Sequence, residues 1–312
     1  MLSALKSEIE FLDSQFHKNI AIIPIKTPIN YKIDLLSLKK GFELGLVEVK
    51  ECEHSQVNTI IVSNKSVTPL LLVDGEEIIG GDQNRIMNAT VVIAGESEMK
   101  IPVNCTEHGR WGYKHEFRQS DYILNSQTRF AKAHARGKRD VQGEVWRSID
   151  NLEMLHNYSS PTQAMSESYE NKKADLNEIA DSFEICKGQT GVVVIVDGEV
   201  KGFEIFSSPQ IYSEYHEKIL KSYLIDTDIN EDIFTVNIDT ARELIEKACE
   251  SEFGEIAHTG LERSYEFKNP EGVGSLYSFE DELIHISYIT GEDATDILIN
   301  EDPVSDGVDF SI

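Results

Sequence analysis

Apolar positions along the chain follow two repeats, one typical of strands and the other typical of helices. Short β-branched runs separated by turn residues fill residues 19–104, which predicts strands that pair with their neighbours in sequence. Residues 118–185 instead place apolar side chains three and four positions apart, as on one face of a helix. Strand signals return at 191–206 and near the end of the chain. The pattern predicts an α+β fold, with a β-rich core of mostly antiparallel strands and a mainly helical segment inserted between two β-containing halves.

These patterns divide the chain into four parts. A β-rich N-terminal part covers 1–117, a mainly helical segment covers 118–185, an α/β C-terminal part covers 186–295, and an acidic tail covers 296–312. A chain of 312 residues is long enough for one large domain or two small ones. We expect the C-terminal part to pack on the N-terminal part, so that the whole forms one compact domain.

Cap residues and apolar stripes locate several helices. Asp34 suits the N-cap and Gly45 the C-cap of a short helix, and Ser208 followed by Pro209 suits the start of a longer one. The side chains expected on buried helix faces are Leu35, Leu38 and Phe42; Val141, Val145, Ile149 and Leu152; Met165, Tyr169, Leu176, Ile179 and Phe183; Tyr212, Tyr215, Ile219 and Tyr223; and Ala241, Leu244, Ile245 and Ala248.

The tetrapeptide VDGE occurs twice, at 73–76 and 196–199, each time between strand-like runs. Asp-Gly is the favoured pair for a two-residue type I′ hairpin, because both central residues need a positive φ. The sequence therefore predicts two separate hairpins, the first of them over 70–79. Internal duplication is the weaker explanation of the repeat.

Charge and cysteine content exclude several classes of function. The formal net charge is -26 and the pI is about 4.7, so nucleic-acid phosphates and anionic membranes would be repelled. The first residues carry acids where a signal peptide needs an apolar core, and no apolar run reaches membrane-spanning length. Four scattered cysteines without a C-x-x-C pair indicate a reducing, cytoplasmic setting.

The stretch LLLVDGEEIIGGDQNR ends in a polar loop directly after a predicted strand. Gly80 and Gly81 allow the backbone to approach a neighbour closely. Gln83 and Asn84 can donate and accept hydrogen bonds, and Arg85 offers a fork for a phosphate or carboxylate. Two interpretations stay open: a loop that binds a ligand, and a polar loop whose side chains cap its own backbone.

A second cluster, IPVNCTEHGRWGY, also follows a strand. Cys105 beside histidine and glutamate could be a nucleophile, although most single cysteines are small buried residues. Glu107 could act as a general base, or as a metal ligand together with Glu77 and Asp82. The metal suited to such carboxylates is Mg²⁺, and no spacing typical of a zinc site is present. His285 lies on a predicted strand, where a hydrogen-bonded structural histidine is the ordinary case.

Basic residues are concentrated between Arg110 and Arg147, in a segment that we call the basic island. It carries nine Lys and Arg residues against four Asp and Glu, in a chain that is otherwise strongly acidic. The island could attract a phosphate-bearing ligand, or it could pair with acidic surface within or between subunits. Trp111 and Trp146 lie in the same segment and could stack a nucleobase or anchor a core or interface.

Several segments together resemble one bacterial family, the ARG-and-rhodanese-phosphatase-superfamily-associated protein domain. The matching segments, from about residue 19 to 290, are GLVEVKE, VNTIIVSN, LLLVDGEEIIGGDQNR, IPVNCTEHGRW, GEVWRSI, GVVVIVDGEVKGFEIF and ELIHISY. The resemblance implies a place in NAD or ADP-ribose metabolism, because the gene neighbours that name the family include ADP-ribosylglycohydrolases. Asp82 departs from the family pattern, in which a basic or small residue is common. The characteristic residues of the family fall on Glu76, Gly80, Gln83, Asn84, Arg85, Cys105, Glu107, Arg110, Trp111, Trp146 and His285.

The predicted function is a protein that processes or binds ADP-ribose or another NAD-derived, phosphate-containing molecule. The alternative is a non-catalytic scaffold or sensor that assembles, for example as a homo-oligomer, through the basic island. Neither nucleic acid nor membrane is an expected partner, and the sequence does not decide whether the protein is an enzyme. The catalytic candidates are Glu107, Glu77 and His285, with Cys105 as candidate nucleophile. The ligand-binding candidates are Gly80, Gly81, Gln83, Asn84, Arg85, Arg110, Trp111 and Trp146.

Overall fold

The computed structural model describes residues 8–27, 33–52, 58–134, 141–230, 232 and 234–291. These residues form an α+β fold whose sheets are antiparallel except at one strand pair, as predicted. The strands are β1 (Glu10–Phe11), β2 (Gln15–His17), β3 (Ile20–Lys26), β4 (Leu36–Ser37), β5 (Val47–Glu51), β6 (Thr59–Asn64), β7 (Leu70–Leu72), β8 (Glu76–Ile79), β9 (Arg85–Met87), β10 (Val91–Ile93), β11 (Ser97–Cys105), β12 (Arg118–Ile123), β13 (Gly191–Val196), β14 (Glu199–Phe206), β15 (Glu252–Ile256), β16 (Arg263–Asn269), β17 (Gly272–Phe279) and β18 (Glu282–Thr290). The helices are α1 (Leu38–Glu43), α2 (Ser126–His134), α3 (Val141–Leu155), α4 (Met165–Asn171), α5 (Lys173–Ala180), α6 (Pro209–Leu224) and α7 (Ile238–Glu250).

The first and last parts of the chain share one large sheet. Strand β3 pairs with β1 and β2 on one edge and with β13 on the other, and the order then runs through β14, β18, β17 and β16 to β15. Its residues alternate between two apolar cores, so Ile20 and Ile22 pack beneath α6 while Ala21, Ile23 and Ile25 pack beneath α7. Coverage on both faces explains why β3 is a continuous apolar run.

Two smaller sheets complete the N-terminal part. One has the order β12-β8-β9-β11-β6-β5, and the other has the order β10-β7-β4. Alternate residues of β6, β7, β10 and β11 enclose a third apolar core between them. The register places Arg85 on β9 opposite Cys105 on β11. The two sequence clusters singled out above therefore meet at one end of the six-stranded sheet.

Residues 118–185 begin with strand β12 and then form helices α2 to α5. Their apolar faces join the same core as β3 and α6, with Val145 and Tyr169 packed in one cluster with Ile22 and Tyr212. The division of the chain into the parts proposed above stays a prediction. The acidic tail at 296–312 lies outside the described residues.

Helix-capping residues in the sequence predicted the start of some helices correctly. Helix α6 begins after Ser208, whose hydroxyl accepts from Ile211 N, and Pro209 is its first residue. The prediction for α1 was wrong at its start, because Ser37 and not Asp34 is the N-cap. Residues 36–37 pair with β7 instead of entering the helix, and the Ser37 hydroxyl then caps Lys40 N.

The two VDGE segments adopt different structures. At 196–199, Asp197 (φ 52°) and Gly198 (φ 82°) close the predicted hairpin between β13 and β14. At 73–76 the predicted hairpin is wrong: only Gly75 has a positive φ, and β7 and β8 belong to different sheets. The chain does turn there, since Glu76 N donates to Val73 O, but its strands diverge.

No helix in the described ranges combines the length and the apolar character needed to cross a membrane.

Candidate functional site

Two loops at the end of the six-stranded sheet lie against each other, and we call residues 80–84 and 108–115 the double loop. Gly80 (φ 122°) and Gly81 (φ 54°) carry the chain out of β8 in conformations that favour glycine. A Cβ on Gly81 would lie 2.3 Å from the Phe117 ring and 2.6 Å from Glu51 Oε1. The glycine pair is therefore required by close packing within the protein itself.

Main-chain hydrogen bonds join the two halves of the double loop. Gly81 N donates to His115 O at 2.8 Å, and Lys114 N donates back to Gly81 O at 3.1 Å. Gly112 N donates to Asp82 O at 3.2 Å. The second half is also tied to the loop after α3, since Gly109 N donates to Thr162 O at 2.8 Å. These bonds give the segment that carries Trp111 a fixed backbone.

Arg110 reinforces this arrangement with both terminal nitrogens of its guanidinium group. Nη1 donates to the carbonyls of Gly81 and Gly112, both at 2.7 Å. Nη2 donates to Gly80 O at 3.2 Å and pairs with the Glu107 carboxylate at 2.6 Å. Since these donors are engaged within the protein, Arg110 holds the loop and does not present a free fork to a phosphate.

Gln83 and Asn84 are likewise used internally. The Gln83 side chain is fully buried and donates to Arg110 O at 2.6 Å. Asn84 Oδ1 accepts from Gly80 N at 3.1 Å, and its Nδ2 donates to Ser166 Oγ at 3.3 Å. Both amides therefore cap the loop's own backbone, which was the plainer of the two interpretations left open by the sequence.

Arg85 and Cys105 meet at the base of the double loop. Arg85 Nη1 lies 3.1 Å from Cys105 Sγ and 3.1 Å from Gln83 Oε1, while Nη2 pairs with Glu51 at 3.4 Å. The Cys105 side chain is fully buried, and burial raises the pKa of its thiol although Arg85 opposes this. Neither the thiol nor the guanidinium reaches the surface. We call Gln83, Asn84, Arg85, Glu107 and Arg110 the loop cluster.

The two candidate carboxyls, Glu107 and Glu77, are in contrasting states. Burial favours a raised pKa for Glu107, but hydrogen bonds from Arg110 and Thr162 outweigh it, so its pKa is lowered. Burial raises the pKa of Glu77 to about 7, against the opposing hydrogen bonds from Ser120 and Thr106. A carboxyl near neutral pKa can hold or release a proton at physiological pH. Both side chains are enclosed, and a catalytic role for either stays a prediction.

His285 lies in a separate buried group, which the structure does not bring to the double loop. Its Nε2 is 2.9 Å from Glu204 Oε2 and its Nδ1 is 3.0 Å from Thr90 Oγ1. Glu204 also pairs with Arg129 at 2.7 Å, and despite burial Arg129 lowers the pKa of Glu204. Both ring nitrogens of His285 are engaged within the core and the side chain has no exposed surface, and a catalytic role for it stays a prediction. We call Thr90, Arg129, Glu204, Tyr223 and His285 the core cluster.

Two aromatic rings project from the fixed backbone of the double loop. Trp111 is 63% exposed and Tyr113 is 67% exposed, with only Gly112 between them. Lys114 follows directly, and Arg118 is exposed at the start of β12. Sequence reasoning singled out Trp111 but missed Tyr113, for which the only signal was the W-G-Y spacing in a glycine-containing loop.

The chain was compared with known proteins by family, by sequence and by structure. The family model of the ARG and Rhodanese-Phosphatase-superfamily-associated Protein domain matches residues 8–289. The chain belongs to this family. Neither a curated protein nor a solved structure matched it.

Within this member of the family, characteristic residues divide between two places. Cys105 and the loop cluster form one group with Gly80, and His285 lies in the core cluster. Trp146 lies on α3, partly buried, with its ring stacked on His108 at a centroid distance of 4.1 Å. The Trp146 ring thereby supports the double loop at His108 and is less available to a ligand than Trp111.

The basic island does not form one accessible surface in this family member. Arg129 and Lys132 are buried in ion pairs with Glu204 and Asp74. Arg110 is turned into the loop cluster, whereas Lys114, Arg118 and Arg147 are exposed. The island's Arg136, Lys138 and Arg139 lie outside the described residues. A phosphate or partner surface can therefore draw on fewer of these cations than the sequence suggested.

Two further observations concern the binding of a metal ion or a small molecule. Across the described ranges, no group of three or more His, Cys, Asp or Glu side chains is arranged to hold a metal ion. A cavity of about 910 Å³ lies away from the double loop, lined by Phe130 on α2, Leu244 on α7 and the turn between β13 and β14 at Gly198. Its volume suits a small ligand, but none of the candidate site residues singled out in the sequence lines it.

Proposed function

We propose that this protein binds an NAD-derived, phosphate-containing nucleotide such as ADP-ribose on the outer surface of the double loop. The observation that carries the proposal is that Trp111 and Tyr113, two residues apart in the sequence, are both exposed on a backbone fixed by Arg110. Every nucleobase has an apolar face that stacks on aromatic rings. Exposed apolar surface that is concentrated in one place often marks a binding site.

Positively charged side chains follow the two rings in the sequence, and they suit a diphosphate better than the acidic surface elsewhere on this protein. Lys114 and Arg118 are exposed, and Arg118 Nη2 lies 3.3 Å from His115 Nε2. Exposed Asp82 lies on the other half of the double loop and would oppose a phosphate close to it. We therefore place the phosphates on the Lys114 and Arg118 side of the rings.

The family context supports the ligand class. The family's name associates this domain with ARG and rhodanese-phosphatase proteins. The resemblance implies work on NAD or ADP-ribose, whether by binding or by processing. The proposal assigns binding only, because the carboxyls that could act as acid or base are enclosed.

Calorimetric titration with ADP-ribose and with NAD tests the proposal. We expect saturable binding by the wild type and a loss of about 5- to 150-fold in affinity for Trp111→Ala, which corresponds to the stacking of one base on an aromatic ring. Tyr113→Ala should weaken binding in the same direction. Phe16→Ala is the matched control, because Phe16 is 52% exposed on β2.

Two results would overturn the proposal. One is the absence of binding by the wild type at millimolar ligand. The other is equal affinity of the wild type and Trp111→Ala when Phe16→Ala is also unchanged, since the ligand would then bind elsewhere.

A further inference from the structure

Glu77 is a buried carboxyl without a paired cation in the part of the chain that the structure describes. Its side chain has no exposed surface, and each of its oxygens contacts one hydroxyl group. Thr106 Oγ1 donates to Oε1 at 2.8 Å, and Ser120 Oγ donates to Oε2 at 2.7 Å. Three other buried glutamates each pair with a lysine or an arginine, namely Glu76, Glu107 and Glu204. A buried carboxyl without such a cation favours its neutral form.

The two hydroxyl groups can serve either protonation state of Glu77. A hydroxyl both donates and accepts hydrogen bonds, so it can donate to the carboxylate or accept from the neutral carboxyl. Burial raises the pKa of Glu77 to about 7 against the effect of the two hydroxyl hydrogen bonds, and the charge of Glu107 adds to the rise. The carboxyl can therefore gain or lose a proton near neutral pH while its two hydroxyl partners stay in place.

The other titratable groups that face Glu77 come from several elements. They are Glu107 after β11, Lys218 on α6, Tyr122 on β12 and Tyr169 on α4. Lys218 already pairs with Glu76 at 3.0 Å, and burial raises the pKa of both tyrosines, so both stay neutral. Burial acts against ionisation of Glu107, but its hydrogen bonds outweigh burial and lower its pKa. An ionised Glu77 therefore faces a second anion that repels it, and these two carboxylates belong to no metal-holding group among the described residues.

Thr106 connects Glu77 to the double loop. Its hydroxyl bonds to Glu77, and its main-chain N donates to Asn84 O at 3.0 Å. The next residue is Glu107, which pairs at 2.6 Å with the Arg110 guanidinium. That guanidinium also bonds to the carbonyls of the double loop. A shift of Thr106 or Glu107 away from an anionic Glu77 therefore weakens the hydrogen bonds that hold the double loop.

We propose that Glu77 acts as a proton switch for the double loop, which is fixed when Glu77 is neutral and loosens when Glu77 is an anion. Loss of the proton to solvent leaves a charge enclosed beside Glu107, and local opening lowers the free energy of that charge by admitting water. Trp111 and Tyr113 lie on this loop, so the protonation state of Glu77 decides how firmly both rings are held. The switch concerns the loop itself and does not depend on any nucleotide.

Amide hydrogen exchange of the full chain, followed by NMR and corrected for the intrinsic pH dependence of exchange, tests the proposal. We expect the protection of the Gly81, Gly112 and Lys114 amides to fall by at least about 5-fold between about pH 6 and about pH 8. In Glu77→Gln the side chain stays neutral and keeps partners for both hydroxyls, so the protection should not change with pH. Glu116→Gln, which alters an exposed glutamate beside the double loop, should follow the wild type.

Two results would overturn the proposal. One is protection of these amides that does not change with pH in the wild type. The other is the same pH dependence in Glu77→Gln as in the wild type, because the dependence would then come from His108 or His115 in the double loop.

A second variant keeps the proposal testable if Glu77→Gln does not fold. Thr106→Val removes one hydrogen-bond donor to the Glu77 carboxylate, so the fall in protection should move to higher pH. A fall at the same pH as in the wild type would contradict the switch.

Discussion

The loop cluster and the core cluster share one arrangement of charged residues and have different structural roles. Both are built on an arginine that pairs with a buried glutamate, Arg110 with Glu107 and Arg129 with Glu204. Arg129 bonds to side chains deep between a helix and a sheet, whereas Arg110 bonds mainly to the carbonyls of a surface loop. The first arrangement stabilises the interior, and the second fixes the shape of an exposed backbone.

This contrast shows how a polar motif can be important without touching a ligand. In the loop cluster, the polar side chains form hydrogen bonds within the double loop. The exposed side chains that can contact a partner there are Trp111 and Tyr113. In the core cluster, Thr90, Arg129, Glu204, Tyr223 and His285 are all buried. The four predictions that follow separate the two roles, in order of expected effect on stability.

Breaking the core cluster should have the largest effect. Arg129→Met leaves Glu204 buried without its cation, so we expect the free energy of unfolding to fall by about 3–5 kcal/mol. Urea unfolding measures this. Arg147→Met, which removes an exposed pair with Glu144, should cost about 1 kcal/mol or less. A cost for Arg129→Met as small as that of Arg147→Met would contradict the core role.

Removing the charge of Glu77 should produce a pH-dependent effect. Its pKa is raised to about 7 in the folded state, so its favourable contribution is complete at low pH and is lost as pH rises from about 4.5 to 7. Above pH 7 we expect Glu77→Gln to be more stable than the wild type by up to about 3 kcal/mol. Below pH 4.5 the two proteins should be equal in urea unfolding. A constant difference at every pH would refute the assignment.

Arg110→Met should cost about 2 kcal/mol, because several charged hydrogen bonds are lost at a partly exposed site where water can replace some of them. Unlike Arg129→Met, it should also speed hydrogen exchange of the Gly112 and Lys114 amides and weaken nucleotide binding. Arg110→Lys keeps the charge but not the fork, and should resemble Arg110→Met. Unchanged exchange at these amides would mean that Arg110 does not hold the loop.

Trp111→Ala should have the smallest effect on stability, within about 0.5 kcal/mol, because an exposed side chain away from caps and cores contributes little to folding. The loss of nucleotide affinity caused by Trp111→Ala should nevertheless be larger than the loss caused by Arg129→Met, with both affinities measured on folded protein. Thermal unfolding together with calorimetric titration separates the two quantities. A large loss of stability would show that Trp111 packs on the protein and is not free for a ligand.

Local signals in the sequence predicted the parts of the fold that depend on neighbours along the chain. The hairpin at 196–199 follows from Asp197 and Gly198 alone, because both adopt the positive φ that the turn needs. The identical VDGE at 73–76 does not form a hairpin. There Asp74 pairs with Lys132 and Glu76 with Lys218, contacts made across long stretches of sequence. The residues of the turn alone do not predict such contacts.

The assignment of the candidate site residues stays a prediction, but the structure shows which of them lie together. Sequence reasoning brought Gly80, Arg85 and Arg110 to one location, and the strand register confirms that their segments meet there. It could not tell that Arg110 bonds inward, because the direction of a side chain depends on the tertiary fold. For the same reason His285 was grouped with the loop although its partners are Thr90 and Glu204.

The central claim is that a nucleotide contacts the exposed rings of the double loop, and tryptophan fluorescence tests it most directly. The chain has two tryptophans, so Trp146→Phe leaves Trp111 as the single emitter. Titration of this variant with ADP-ribose should change the emission of Trp111 saturably, with the affinity found by calorimetry, because a stacked base alters the surroundings of the indole. Unchanged Trp111 emission under conditions where calorimetry detects binding would contradict the account.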